Sequence, residues 1–328
     1  MSATTPPTSA RATATDAGGR IVAASATTAA PARTLAPATT RPRATRRRGR
    51  VSPLDVLGWL FLAALLLFTV LPMAWMVSTS LKTEFASIQQ PPVWIPAEPT
   101  LEQYTRLLSP TGETGRQFLG YIRNSVWVST ATTIVGLVVA IPAAYAFSRF
   151  EFPGRDALFF SVLVRNMFPV VVFLIPLFIL MRRLHLYGSQ WSLILTYLTF
   201  GLPLSIWLLK GFYDNIPSEL EQAARIDGAT RFQAFRLIIM PLSAPGIVAT
   251  AIYAFIQGWN EYVYARTFIT DERLMTMPVG LEKFFTEYAS NWPGLMAASF
   301  IMSVPVVVLF LVLQRHFVRA LTEGAVKH

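Results

Sequence analysis

SELEQAARIDGATRFQAFRLIIMP, residues 218–241, is a polar interruption in a chain that otherwise avoids charge. It follows one interval without Asp, Glu, Lys or Arg, 184–209, and its last five residues open another, 237–260. Three further intervals are equally charge-free, at 56–81, 124–148 and 288–314, and a sixth, 157–181, is broken only by Arg165. At 1.5 Å of rise per helical residue, ~20 apolar residues cross the hydrocarbon layer, so each interval is long enough. A β-barrel would instead show alternating segments of about 10 residues. With 53% hydrophobic and 14% charged residues, the chain also departs from soluble composition. The expectation is an all-α membrane protein with six transmembrane helices.

The net charge of +10 is concentrated at one end. Nine Arg and one Asp within the first 53 residues supply +8 of it, ending in RPRATRRRGR at 41–50. Directly ahead of a first span, such a cluster orients the helix and contacts anionic lipid; it is not read as a nucleic-acid site. The rest of the tail is Ala, Thr, Pro and Ser, with too little apolar surface to fold. Residues 1–50 are therefore expected to be a disordered cytoplasmic tail and 51–328 a transmembrane domain, with both termini cytoplasmic. No apolar core with a cleavage site precedes Val51, so no cleaved signal peptide is expected. Beyond the tail, the expected internal and external segments carry nine Lys/Arg each, and the tail decides the orientation. There is no cysteine, which removes disulfides and thiolate chemistry.

On that orientation, residues 218–241 face the cytoplasm. Ser218 with Glu221 and Thr230 with Gln233 have the spacing of capping boxes. Asp227-Gly228 between them supplies a left-handed turn, and Pro241 limits the second helix. A two-helix hairpin follows, with Leu220, Ala223 and Ala224 on a shallow apolar face and Phe232, Phe235 and Ile239 on a bulkier one. It serves either as an amphipathic linker resting on the membrane or its own bundle, or as a helix offered to a groove on a partner. Small residues at four-residue spacing, Ala140, Ala144 and Ser148 and then Gly246, Thr250, Ala254 and Gly258, allow close helix approach, within this chain or against a partner.

QAARIDG, nine residues and then IIMP resembles the E-A-A-x-x-x-G-x9-I-x-L-P signature of permease subunits in bacterial binding-protein-dependent ABC importers. Gln222 stands where that signature has Glu, and Met240 where it has Leu. ELEQAARIDGAT, PTLEQY, RNSVWVS, NMFP, GWNEY and LTEGAVKH are similar to the carbohydrate branch, the subunit paired with a second permease in maltose- and trehalose-type importers. The resemblance spans residues 54–328 and implies a multi-pass protein of the bacterial inner membrane. It implies that the hairpin is a coupling helix seated in a cytoplasmic ABC ATPase dimer, with Glu221, Ala223, Ala224, Asp227 and Gly228 as its contacts. The terminal GAVKH is similar to a tail that reaches the ATPase interface. An extracytoplasmic sugar-binding protein would deliver the substrate.

The chain has no G-x-x-x-x-G-K-[ST], so ATP and Mg are expected on the ATPase and no cofactor here. It has no H-E-x-x-H and no G-x-S-x-G, and no enzyme activity is expected. Polar groups inside the spans are the other candidates, because they are costly against lipid. Arg165 and Asn166 in helix three, and Asn260 and Glu261 in the distal half of helix five, suit a translocation path. The competing and favoured reading is structural, with Arg165 in an ion pair and Glu261 paired to an Arg or lying at the outer interface. Trp259 and Tyr262 suit sugar stacking or an interfacial belt. Two alternative functions are a self-contained secondary transporter and an ABC permease for a non-sugar solute.

Overall fold

The structure is a computed structural model that describes residues 53–286 and 291–325. The chain divides at Val56, and apart from the first helical turn everything below concerns Leu57–His328. The Arg-rich tail, and the GAVKH end apart from the backbone of Gly324 and Ala325, lie outside the described residues.

Every regular element among the described residues is helical. A long helix α1 (Pro53–Ser80) is followed by two short ones, α2 (Glu84–Ser87) and α3 (Glu102–Leu108). Next come α4 (Glu113–Arg149), the pair α5 (Arg155–Val164) and α6 (Leu174–Arg183), and α7 (Gln190–Asp214). The hairpin is α8 (Ser218–Ile226) and α9 (Arg231–Ala234), running through a π turn at Phe235–Ile239 into α10 (Met240–Leu242). The chain closes with α11 (Ala244–Trp259), α12 (Val263–Phe268), α13 (Met277–Thr286) and α14 (Trp292–Ala325).

Among the described residues four helices are long and apolar enough to cross a membrane: α1, α4, α7 and the Trp292–Val312 part of α14. Two bent pairs raise the number to six if each is one span. The continuous third and fifth helices expected from charge-free length are thus not what forms. Arg155–Met167 and Val170–Arg183 meet at 102°. Phe168 and Pro169 between them have ψ of 135° and 136°. Proline pushes the residue before it out of the helical region and donates no hydrogen bond, so the helix stops there.

The second bend, 72° between Arg231–Leu242 and Ala244–Trp259, falls at Ser243 and not at Pro241. Pro241, expected to end the second hairpin helix, lies inside a helical run instead. The π turn just ahead of it accommodates the missing donor, a common use of such bulges. Each of the four long helices also contains a proline, Pro72, Pro142, Pro203 or Pro305, as membrane helices tolerate when neighbours satisfy the freed carbonyls.

The centre of the bundle is α4, α7 and α11. Gly246, Thr250, Ala254 and Gly258 on α11 are all buried, as are Ala140 and Ala144 on α4, so both small-residue stripes point into this chain's own bundle. A Cβ on Gly246 would meet Cγ of Phe212 at 2.3 Å, and one on Gly258 would meet Cα of Ser129 at 3.3 Å. Such approach is what holds apolar helices together where lipid gives no hydrophobic drive between them. Helix α1 differs: only Thr79 and Ser80, in its last turn, are buried. There Lys82 is buried with its ammonium 4.2 Å from the Trp75 ring centre, and burial pushes that ammonium below its ordinary range.

Gly246→Ala should therefore be costly although it adds one methyl group. The ring of Phe212 is clamped at its root and not at a free end, and overpacking of this kind costs about 1–3 kcal/mol. The thermal midpoint of the detergent-purified chain is expected to fall by several degrees. A midpoint equal to wild type would mean that α7 and α11 are not packed at this distance.

Candidate functional site

The hairpin is built from strong local signals. Thr230 Oγ1 accepts from Gln233 N at 3.2 Å and Gln233 Oε1 accepts from Thr230 N at 2.7 Å, the reciprocal box its spacing predicts. Gly228 has φ of +93°. Gly228 N donates to Arg225 O at 3.2 Å and Ala229 N to Ala224 O at 2.9 Å, the Schellman pattern that closes α8.

The other predicted box does not form. Helix α8 starts with Ser218 as its first residue behind Pro217, without a side-chain cap. Glu221 is drawn away by stronger partners. Its Oε2 lies 3.2 Å from Arg149 Nε, and its Oε1 accepts from the Tyr145 hydroxyl. The Arg149 and Glu221 side chains are each 13% exposed. Arg149 also donates from Nη2 to Ile216 O at 2.7 Å, so the last turn of α4 grips both the hairpin and the segment leading into it. The Tyr145 ring lies against Phe235 at 4.4 Å and edge-on to Phe150 and Tyr213 at 5.6 and 6.2 Å.

This divides the expected coupling residues. Glu221 is turned into its own chain, Ala224 is half-buried, and Ala223, Asp227 and Gly228 are exposed. The predicted bulky face divides too: Ile239 is buried, Phe235 half-buried and Phe232 69% exposed. Sequence reasoning missed Ile226, which is 85% exposed beside the Gly228 turn, and it missed Tyr145 and Arg149. Their spacing of four residues on one helix face was the available signal.

The second region lies where the spans break. Arg165 and Asn166 sit in a 3-10 turn at the end of α5. The Arg165 guanidinium is 3.6 Å from the Phe200 ring centre and 5.1 Å from that of Phe173, and Nη1 donates to Asn166 Oδ1 at 3.2 Å. Among the described residues it has no ion pair, contrary to the structural expectation, and its buried Nε and Nη2 have no partner.

Asn260 and Glu261 do not lie in the distal half of a helix; they follow its end at Trp259. Among the described residues Glu261 pairs with no Arg. Its Oε1 accepts from Tyr264 N at 2.8 Å, and its Oε2 from Ala265 N at 3.1 Å and Tyr197 Oη at 2.7 Å. It caps the start of α12, where the first amides have no helical partner. Phe200 and Tyr264, with ring centres 5.2 Å apart, connect the two breaks. Arg165 and Glu261 thus meet around one aromatic pair, while Asn166, bonded to Arg165, and Asn260 are exposed. Trp259 is buried, stacks on Phe255 at 5.7 Å and donates to Met302 O at 3.1 Å, so it is not available to a sugar ring. Among the described residues no cluster of His, Asp or Glu suits a metal ion.

A double-mutant cycle tests the hairpin anchor. Arg149→Met and Glu221→Gln should each lower resistance to SDS denaturation, and the pair should couple by about 1–2 kcal/mol because each single change strands a mostly buried partner. Simply additive losses would show that the two side chains do not hold each other.

The profile of the family described as binding-protein-dependent transport system inner membrane component matches residues 133–323. The diacetylchitobiose uptake system permease protein DasC of Streptomyces coelicolor is 35% identical over 271 residues, 82% of this chain and 96% of that one. The trehalose transport system permease protein SugB of Mycobacterium tuberculosis is 36% identical over 79% of this chain and 93% of its own. For the trehalose/maltose transport system permease protein MalG of Thermococcus litoralis the figures are 36%, 83% and 95%. In fold, the chain is similar to one in the crystal structure of a bacterial ABC transporter involved in import of the acidic polysaccharide alginate. The TM-score is 0.71 at 22% identity, over 82% of this chain and 99% of that one. The chain belongs to the family of binding-protein-dependent transport system inner membrane components, and it is a transport subunit and not an enzyme.

Proposed function

We propose that this chain is the transmembrane permease subunit of an ATP-driven sugar importer. Residues 51–328 make six crossings, with each bent pair counted as one, and residues 1–50 are a cytoplasmic tail that orients the first. Both termini and the α8–α9 hairpin face the cytoplasm. The hairpin docks on an ABC ATPase dimer, which holds ATP and Mg; this chain needs no cofactor. A second permease subunit completes the path, membrane lipid surrounds it, and an extracytoplasmic binding protein delivers the sugar. The relatives named above are permeases for diacetylchitobiose, trehalose and maltose, which supports a carbohydrate substrate. A second similar structure, with a TM-score of 0.54, is of a bacterial alginate ABC transporter in complex with a periplasmic protein carrying an alginate pentasaccharide, which supports the binding-protein partner.

The observation that carries the coupling role is the hairpin's two-sidedness. One side is fixed to α4 through Glu221, Arg149 and Tyr145, and the other presents Ala223, Ile226, Asp227 and Gly228 to solvent. A body gripped by a membrane helix and free at its tip transmits a push from an ATPase cleft to the bundle, as alternating access requires. Asp227 and Gly228 contribute through the turn, Ala223 and Ala224 through small size, and Glu221 by anchoring. Arg165, Asn166, Asn260 and Glu261 belong to the path side.

Gly228→Pro should abolish the turn, since proline cannot adopt φ of +93°. Strain of about 1–3 kcal/mol depopulates the docked turn by roughly 5- to 150-fold, and ATP-dependent uptake in proteoliposomes should fall accordingly. Gly228→Asn, which tolerates the left-handed region, should retain most of it. Wild-type uptake by the proline variant would sink the coupling role.

A further inference from the structure

Helix α11 has two faces of opposite character. Its small residues are buried in the bundle, but Gln257 is exposed and Tyr253 half-buried on another face, with Gln257 Nε2 donating to Tyr253 Oη at 2.8 Å. A carboxamide held against hydrocarbon would cost several kcal/mol. This face therefore looks onto a space lined by water or protein. Gln257 and Tyr253 lie on the rim of a cavity of about 120 Å³ that Phe200, Tyr264, Tyr197 and Glu261 also line.

We infer that this cavity is a subsite for one ring of an uncharged sugar. The inference rests on the sugar-importer reading above, and adds that this subunit itself touches the substrate. Its unused hydrogen-bonding capacity has the required mixture. Glu261 is taken up by the amides that follow it, Val263, Tyr264 and Ala265, and by the Tyr197 hydroxyl, so the open groups lie on Gln257 and Tyr253. Gln257 Oε1 is open, and the Tyr253 hydroxyl, which accepts from Gln257, has its own proton to donate. Arg165 does not line the cavity; it is stacked behind the Phe200 ring that does. Alternating donors and acceptors fit neighbouring hydroxyls, and the Phe200 and Tyr264 rings fit the C–H face of a pyranose.

Charge selects among ligands. Both signs are present beside the aromatic pair, Arg165 over Phe200 and Glu261 at the amide of Tyr264, so neither a cation nor an anion is favoured. The small volume sets the length: about 120 Å³ takes one ring at most and leaves the rest of an oligosaccharide to other chains.

The test uses the whole importer, purified with its partner permease and ATPase. The probes are labelled trehalose, maltose and diacetylchitobiose, with equilibrium binding read by scintillation proximity in the absence of binding protein. Transport of the same sugars is read in proteoliposomes with it. Gln257→Ala and Tyr253→Phe are compared with wild type, and co-purification of the partner chains in wild-type ratio reports assembly. Weakening of the dissociation constant by roughly fivefold per lost neutral hydrogen bond is expected in each variant. Tyr253→Phe removes a single oxygen and keeps the measurement decisive if Gln257→Ala assembles poorly. Unchanged binding in both variants overturns the subsite, as does lost transport with unchanged binding, which would make this face a gate. Wild type that transports a probe yet binds none places the sugar contacts in other chains and also overturns it. Wild type that transports none of the three sinks the sugar reading and the subsite with it.

Discussion

Close contact between α11 and its neighbours α4 and α7 is the constraint from which the rest of the structure follows. Lipid and leucine are equally apolar, so helices in a membrane gain little from hiding one from the other and depend on packing. Gly246 against the root of Phe212 and Gly258 against the Ser129 backbone fix α11 at both ends. With the axis fixed, the segment ahead of Gly246 must leave the bundle as the hairpin. The segment after Gly258 must stop and turn at Asn260. The two candidate regions are thus the two exits of one tightly held helix.

At the hairpin exit, charge does what packing does elsewhere. Arg149 at the end of α4 would be a lone cation beside an aromatic cluster if Glu221 did not face it. The pair is a poor source of net stability, because desolvating both groups offsets much of their attraction. Its value is geometric. Glu221 fixes the azimuth of α8, Arg149 fixes the approach through Ile216, and Tyr145 joins both to the ring cluster of Phe150, Tyr213 and Phe235. A helix of nine residues is too short to be stable alone in water, so its shape is borrowed from this anchor.

What could be read in the sequence was whatever is settled within a few residues. The Thr230–Gln233 box and the Gly228 turn formed as their spacing predicts, because each partner is local. The matching Ser218–Glu221 box failed because Glu221 finds a partner 76 residues away in Tyr145, a competition that spacing does not express. Counting charge-free residues located the apolar segments but not their continuity, since Pro169 carries no charge and still stops a helix. The sequence alone left Glu261 three places, lining a path, paired to an Arg or at the outer interface. The amides of Tyr264 and Ala265, three and four residues on, were the local alternative. Arg165 was legible as costly but not as stacked, because Phe200 comes from another span.

The polar wall and the broken helices are one feature seen twice. Ending a helix inside a membrane strips backbone groups of partners, and in hydrocarbon each must be satisfied from within the protein. After the break at Asn260 the unpaired amides of α12 need an acceptor, and Glu261 supplies both of its oxygens to them. A carboxylate whose charge is spent on amides and on the Tyr197 hydroxyl can stay in place without an arginine, where a free one could not. The break therefore installs a charge beside the cavity that an uninterrupted helix would have excluded. At the other break, Arg165 ends its helix and lies over Phe200, the ring neighbour of Tyr264. Backbone repair at the breaks thereby places polar groups among the aromatic rings of an apolar bundle.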